Sequence, residues 1–156
     1  MRRPLRTATL LAAFAALPAW AQTSVQDAWI RGTVAQQKAT GMFARITSAA
    51  GGKLVAASSP VAGVVEIHEM KMEGNTMKMR AVPSVELPAG KAVELRPGGY
   101  HVMLMSLERQ LQPGEMVPVT LVVEAGGKRE NVEVKALVRP LEGGAPAAGG
   151  HGGMKH

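Results

Sequence analysis

Turn-forming residues recur at short intervals along most of this chain, and their spacing limits what can form between them. The runs between the turns are short and rich in apolar and β-branched residues, as in AVEL at 92–95, VPVTLVVE at 117–124 and NVEVKALV at 131–138. The turns themselves carry Pro or Gly, at Pro83, Pro88 with Gly90, Pro97 with Gly98 and Gly99, Pro113 with Gly114, and Gly126 with Gly127. Short strands punctuated in this way predict an all-β sandwich or a small Greek-key barrel.

The same pattern extends through the N-terminal half of the chain. Alternating or continuous apolar runs predict strands over 25–31, 41–48, 53–58 and 63–72. Trp29 is expected to anchor the core from the first of these strands. Gly126 and Gly127 lie between the last two apolar runs and predict a hairpin there. No segment favours a helix.

The N-terminal segment has the features of a secretory signal peptide. Three arginines precede an apolar run that is too short to span a bilayer, and Ala19-Trp20-Ala21 supplies a small-x-small cleavage site. Residues 1–21 are therefore predicted to be removed, which leaves an exported protein with no stable membrane insertion. The alternative is an N-terminal membrane anchor.

The remaining chain divides into a folded body and a tail. Residues 22–141 are long enough for one domain, and they contain every predicted strand. Residues 142–156 are dominated by Gly and Ala and cannot bury an apolar face, so a flexible tail is predicted there.

Composition excludes several classes of function. Removal of Arg2, Arg3 and Arg6 leaves 15 basic against 12 acidic side chains, a net charge of +3, and these charges are dispersed. A nucleic-acid partner is therefore not expected. The absence of cysteine excludes a disulfide framework, a blue-copper centre and a cysteine-type structural zinc site.

Histidine and methionine are concentrated in one region, which holds two of the four histidines and six of the ten methionines between His68 and Met105. Within HEMKMEGNTMKMR, at 68–80, Gly74-Asn75 is a two-residue hairpin signal. That turn pairs Met72 with Met77 and Met70 with Met79. Thioethers and imidazoles together are the ligands that suit the soft Cu(I) ion.

Strand alternation places these ligand-type side chains on shared faces. His68, Met70 and Met72 share a face with Met77 and Met79, and His68 becomes a diagonal neighbour of Met79. In YHVMLM, at 100–105, the same alternation groups His101, Met103 and Met105. A site with two histidines and two methionines requires only that this third strand lie beside the hairpin.

The spacing of four of these residues resembles a known family. His68, ten residues, Met79, twenty-one residues, His101, one residue and Met103 match the pattern of the periplasmic copper chaperones called PCu(A)C. The resemblance extends to VQDAWIR, the hairpin and PGGYHVMLMSL, and so covers most of residues 25–138. Glu69 follows the first histidine, where some members carry a methionine.

This resemblance implies a cupredoxin-like β-barrel that binds one Cu(I) through His68, Met79, His101 and Met103. It also implies a periplasmic protein that supplies copper to cytochrome c oxidase, notably its CuA centre, alongside Sco-type thiol proteins. Met70 is then a candidate fifth or exchanging ligand. The remaining methionines of the region, Met72, Met77 and Met105, are expected to pack in the core or behind the ligands, and Met42 and Met116 to be ordinary packing residues.

The predicted tail adds His151, Met154 and His156 in a glycine-rich segment. Imidazoles also suit Cu(II), and some relatives use a His/Met-rich extension to bind it, so a secondary Cu(II) site is predicted in the tail. An unselected terminus is the alternative.

A copper carrier without catalytic turnover is thus the first hypothesis for the whole protein. A copper enzyme or electron-transfer protein is disfavoured, because no thiolate, no N-terminal histidine at the predicted cleavage site and no serine, histidine and acid set are present. A β-sandwich interaction module whose methionines merely fill the core remains the other alternative.

Overall fold

The computed structural model describes residues 22–141, and in this part of the chain all regular secondary structure is β. No helix in the described range is both long and apolar enough to cross a membrane. The predicted all-β fold is confirmed. The predicted signal peptide at 1–21 and the predicted tail at 142–156, with His151, Met154 and His156, lie outside the described residues.

Residues 22–141 form ten strands, and each strand predicted from the sequence is among them. β6 is the one that the sequence pattern did not single out. In chain order they are β1 (Thr23–Arg31), β2 (Ala39–Ser48), β3 (Gly52–Ser58), β4 (Ala62–Glu73), β5 (Thr76–Ala81), β6 (Val85–Leu87), β7 (Ala92–Leu95), β8 (Tyr100–Leu107), β9 (Met116–Ala125) and β10 (Lys128–Arg139).

The strands follow the order β5-β4-β8-β2-β1-β10-β9-β3-β6, with β7 also paired to β2. β1 and β10 are parallel, whereas the other ladders are antiparallel. Strands distant in sequence become neighbours, as with β2 and β8 or β3 and β9, which requires long connections between strands. β3 packs close to β4 although the hydrogen-bonded path does not join these two strands. The sheet therefore curls back on itself.

The core lies inside this curled sheet and is built from alternate residues of the strands. β9 contributes Val117, Val119, Leu121 and Val123, all with almost no exposed surface, and its intervening residues are more exposed. Each such side chain stabilises the fold by about 1.5 to 3 kcal/mol relative to an exposed one. On the two strands that carry the histidines and on β2, the core side chains include Met42, Ile67, Val102 and Leu104.

The structure corrects the expectation about the methionines. Met42 packs in the core as expected, but it is the only buried methionine among residues 22–141. Met72, Met77 and Met116 are exposed. Met72 and Met77 lie at the end of the β4–β5 hairpin, where β5 is the last strand of the sheet and every one of its residues is exposed. The methionine-rich core on which the interaction-module alternative depended is therefore not found among residues 22–141.

Trp29 is also placed differently from the prediction. Its ring is half-buried and stacks on Phe43 with ring centroids 4.6 Å apart, and the Arg139 guanidinium lies 4.8 Å above it. Trp29 therefore covers the outer face of the sheet rather than anchoring the core. The reason is register: its neighbour Ile30 takes the inward position, opposite Met42.

Candidate metal centre

The hairpin of β4 and β5 has the register that the Gly74-Asn75 turn predicts. Met72 lies opposite Met77 and Met70 opposite Met79. Gly74 adopts φ +61°, which favours glycine because a side chain is strained in this region. Along β4, His68 pairs with Ala81 and is thus the diagonal neighbour of Met79.

β8 supplies the other two predicted ligands and lies on the opposite edge of β4. His68 and His101 are direct cross-strand partners, and Glu66 is the partner of Met103. Residues directly opposite each other in an antiparallel ladder point to the same face, so all four predicted ligands share the outer face of the sheet. The strand that carries His101 and Met103 thus lies beside the hairpin, as the predicted site with two histidines and two methionines requires.

His101 and Met79 make the closest contact between predicted ligands. His101 Nδ1 donates a hydrogen bond to the Gly99 carbonyl at 3.2 Å, and His101 Nε2 lies 3.2 Å from Met79 Sδ. The hydrogen bond places the proton of the neutral ring on Nδ1, so Nε2 presents its lone pair beside the thioether. Two ligands of one tetrahedral ion at bond lengths of about 2.0 and 2.3 Å lie about 3.5 Å apart, close to this separation.

The turn between β7 and β8 holds His101 in place. Its Gly99 carbonyl accepts the N–H of Met70 at 3.1 Å as well as the proton of His101. This one carbonyl therefore connects β4 to the imidazole of His101 through two hydrogen bonds. Partners of this kind fix the tautomer and the orientation of metal-binding histidines.

Burial keeps His101 in its neutral form. The side chain is buried, and desolvation lowers its pKa below the usual 6.5, with smaller contributions in the same direction from His68 and Arg31. The Gly99 hydrogen bond opposes this shift. A neutral imidazole is the form that binds a metal ion, so at neutral pH no proton has to be displaced.

His68 is held by a carboxylate. Glu66 Oε2 accepts a hydrogen bond from His68 Nε2 at 2.8 Å, and His68 Nδ1 is buried without a hydrogen-bond partner. A buried polar atom with no partner is unfavourable unless it binds something. The geometry leaves Nδ1 of His68 and Nε2 of His101 as the two nitrogens available to a metal ion.

A groove of about 300 Å³ opens over part of this face. Met70, Met79, His101 and Met103 line it, whereas His68 lies beside it, with its ring centroid 5.9 Å from that of His101. Gly41 forms part of the floor, and a Cβ there would come within 3.0 Å of the Phe43 ring. The structure therefore gathers three predicted ligands in one groove and places the fourth at its margin.

Other residues of the groove were not found by sequence reasoning. The Arg31 guanidinium lies 5.6 Å from the Phe43 ring centroid, and Phe43 lies 6.0 Å from the His101 ring. Glu66 was also missed, although its position two residues before His68 puts it on the same face of β4. Strand alternation was thus a usable signal for Glu66, but Arg31 and Phe43 come from strands that only the fold brings near.

The donor set decides which metals fit. Among residues 22–141 no group of three or more His, Cys, Asp or Glu side chains is placed to hold an ion. A site here must therefore use thioethers, which favour soft ions such as Cu(I) over the hard cations that prefer oxygen.

Comparison with known proteins identifies the family. A family model described as "Putative lipoprotein LpqE-like" matches residues 23–137. A protein of Leifsonia xyli subsp. xyli described as "Putative lipoprotein Lxx21020" is 33% identical over 116 residues, which cover 67% of this chain and 69% of that protein.

Solved structures agree with this assignment. The copper-bound PCuAC domain from PmoF2 matches with a TM-score of 0.64 at 20% identity, over 77% of this chain and 94% of that domain, which shows the fold. Solution structures of DR1885 from Deinococcus radiodurans are 31% identical. The apo form covers 90% of this chain and 95% of that one with a TM-score of 0.57, and the Cu(I) form covers 82% and 83% with a TM-score of 0.55. The cupredoxin-like fold is confirmed, and the chain belongs to the LpqE-like family, which is the PCuAC family.

Proposed function

We propose that this protein is a copper chaperone that binds one Cu(I) ion through His68, Met79, His101 and Met103. The observation that carries the proposal is the contact between His101 Nε2 and Met79 Sδ, 3.2 Å apart on the wall of an open groove. The copper-bound PmoF2 domain and Cu(I)-DR1885 support copper as the cargo.

The chemistry favours carriage without catalytic turnover. Thioethers are neutral and soft, so they hold Cu(I) in preference to Cu(II) and release it by stepwise exchange of ligands. Met79 is 47% exposed, so a ligand from another protein has access to the ion from the side of β5. His68 and His101 are buried and remain behind as the fixed half of the site.

Copper binding is tested by native mass spectrometry of the protein with added Cu(I), followed by copper K-edge X-ray absorption. We expect one ion per folded domain, with two sulfur and two nitrogen scatterers. A folded domain that retains no copper contradicts the proposal, and a shell of oxygen scatterers contradicts the ligand set.

For delivery, the proposed acceptor is the CuA centre of cytochrome c oxidase, directly or through a Sco-type protein, as the family resemblance implies. The test is to mix Cu(I)-loaded protein with an apo CuA domain and to follow the acceptor by NMR. Transfer that occurs equally fast from free Cu(I) and from the loaded protein argues against a delivery role.

The protein is proposed to act in the periplasm after removal of residues 1–21. The lipoprotein descriptions of the family and of the Leifsonia relative support export. N-terminal sequencing of protein recovered from the periplasm is expected to begin at Gln22.

The tail residues His151, Met154 and His156 are proposed to capture Cu(II). Deletion of residues 144–156 is expected to reduce Cu(II) uptake and to leave Cu(I) binding unchanged. Equal Cu(II) binding by the truncated and the full-length protein excludes this role.

A further inference from the structure

The β4–β5 hairpin ends in a second pair of thioethers that the four-ligand site does not use. Met72 and Met77 face each other across the ladder, next to the two-residue turn at Gly74. Their side chains are 56% and 44% exposed. We call these two residues the outer pair.

Packing does not explain the outer pair. β5 is exposed at all six of its residues and is the last strand of the sheet, so no core lies beneath this end of the hairpin. The opposite face is solvated too, where Lys78 pairs with Glu73 at 3.0 Å and Arg80 with Glu69 at 2.6 Å. A side chain that stays half exposed on an edge strand gains little from being apolar.

The outer pair is aligned with the inner site. Met70 and Met79 form the next pair on the same face, two residues further along the ladder, which is a distance of about 7 Å. Both pairs are at non-hydrogen-bonded positions of a hairpin with a two-residue loop, where opposite side chains approach most closely. Met79 in turn contacts His101. On this face, two successive pairs of thioethers therefore lead from the exposed end of the hairpin to the buried imidazole.

We propose that Met72 and Met77 form a second, weaker Cu(I) site through which the ion passes between a partner protein and the inner site. This inference rests on the proposed function. Two neutral thioethers bind Cu(I) with fewer donors than the inner site, so the ion does not remain there. Each step forms one copper–sulfur bond before another breaks, and the oxidation state of the ion does not change.

Methyl NMR of protein labelled with 13C at the methionine methyl groups tests for the site, with Ag(I) as a redox-inert probe for Cu(I). We expect the first equivalent to shift the methyl signals of Met79 and Met103. A second equivalent should shift those of Met72 and Met77, with Met116 unmoved. Met116 is the matched control because it is 54% exposed but faces Leu137 across its ladder.

Stopped-flow loading of Cu(I) from a soluble Cu(I)-chelator complex tests the path. The double variant Met72→Leu/Met77→Leu retains the apolar surface and removes only the sulfur. We expect the affinity of its inner site to match wild type and its loading rate to fall about tenfold, the effect of about 1.4 kcal/mol in a barrier. Met116→Leu should load at the wild-type rate.

A wild-type loading rate in the double variant, together with unmoved Met72 and Met77 methyl signals, overturns the outer site. This result is separate from failure of the proposed function. If the proposed function fails, wild-type protein itself holds no Cu(I) and the Met79 and Met103 methyl signals do not move.

Discussion

His68 and His101 lie directly opposite each other on β4 and β8, with ring centroids 5.9 Å apart and ring planes inclined by 57°. Each ring has one nitrogen engaged by a different acceptor, the Glu66 carboxylate for His68 and the Gly99 carbonyl for His101. The other nitrogen of each ring is therefore left available to bind an ion before any ion is present. This relationship makes the site preorganised on its histidine side and adaptable on its methionine side.

Replacing Met79 by Leu separates copper binding from folding. Because Met79 is exposed, the free energy of unfolding should change by less than about 0.5 kcal/mol. The dissociation constant for Cu(I) should rise at least about tenfold, since one of the proposed four donors is lost. Competition with a chromophoric Cu(I) chelator measures this constant, and Met116→Leu is the control. Unchanged affinity in the Met79 variant removes that residue from the ligand set.

Glu66→Gln tests whether the carboxylate positions His68. Loss of a carboxylate that orients a metal-binding histidine weakens metal affinity by about 10- to 100-fold. Glu69→Gln is a matched control, because Glu69 lies on the same strand but bonds Arg80 on the other face. Chelator competition should show the loss for the first variant only. Equal affinities in both variants contradict a positioning role for Glu66.

Met42→Ala and Met116→Ala should differ strongly in stability. Met42 is fully buried in the core, so its truncation should cost about 2 to 5 kcal/mol through lost burial and the cavity that remains. Met116 is exposed, and its truncation should cost no more than about 0.5 kcal/mol. Urea denaturation followed by tryptophan fluorescence measures both. Similar losses of stability in the two variants contradict the burial of Met42 in the core.

The metal-free protein should lose stability as the pH falls. Burial lowers the pKa of His101 in the folded state, so below about 6.5 the unfolded chain binds more protons than the folded one. The contribution of His101 is therefore complete above pH 6.5 and is lost progressively between that value and the lower pKa of the folded state. Denaturation at several pH values should show a shallower decline for His101→Gln than for wild type. Equal declines of stability with falling pH in the two proteins contradict the contribution assigned to His101.

Much of the fold and of the site follows from local sequence. The hairpin register is determined by a two-residue turn between strands that cannot slip without moving every side chain to the other face. Alternation then sets His68 with Met79 and His101 with Met103, and the structure agrees with both groupings. The strands flanking Gly126-Gly127 were predictable for the same reason.

The local sequence does not determine which face of a strand packs on the core. The alternation of β4 and β5 separates methionines from charged residues, yet it does not state which face packs on the core. In the structure neither face of β5 does, because this strand ends the sheet and every residue in it is exposed. For this reason Met72 and Met77 proved to be surface residues.

By itself, then, the sequence determined the all-β class, the hairpin register and the spacing of four ligand-type side chains, since these depend on residues close together in the chain. The tertiary structure decided that β4 lies between β5 and β8, that Arg31 and Phe43 border the groove, and which nitrogen of each histidine is free. Those features depend on pairings between strands far apart in sequence, and a local pattern contains no information about such pairings.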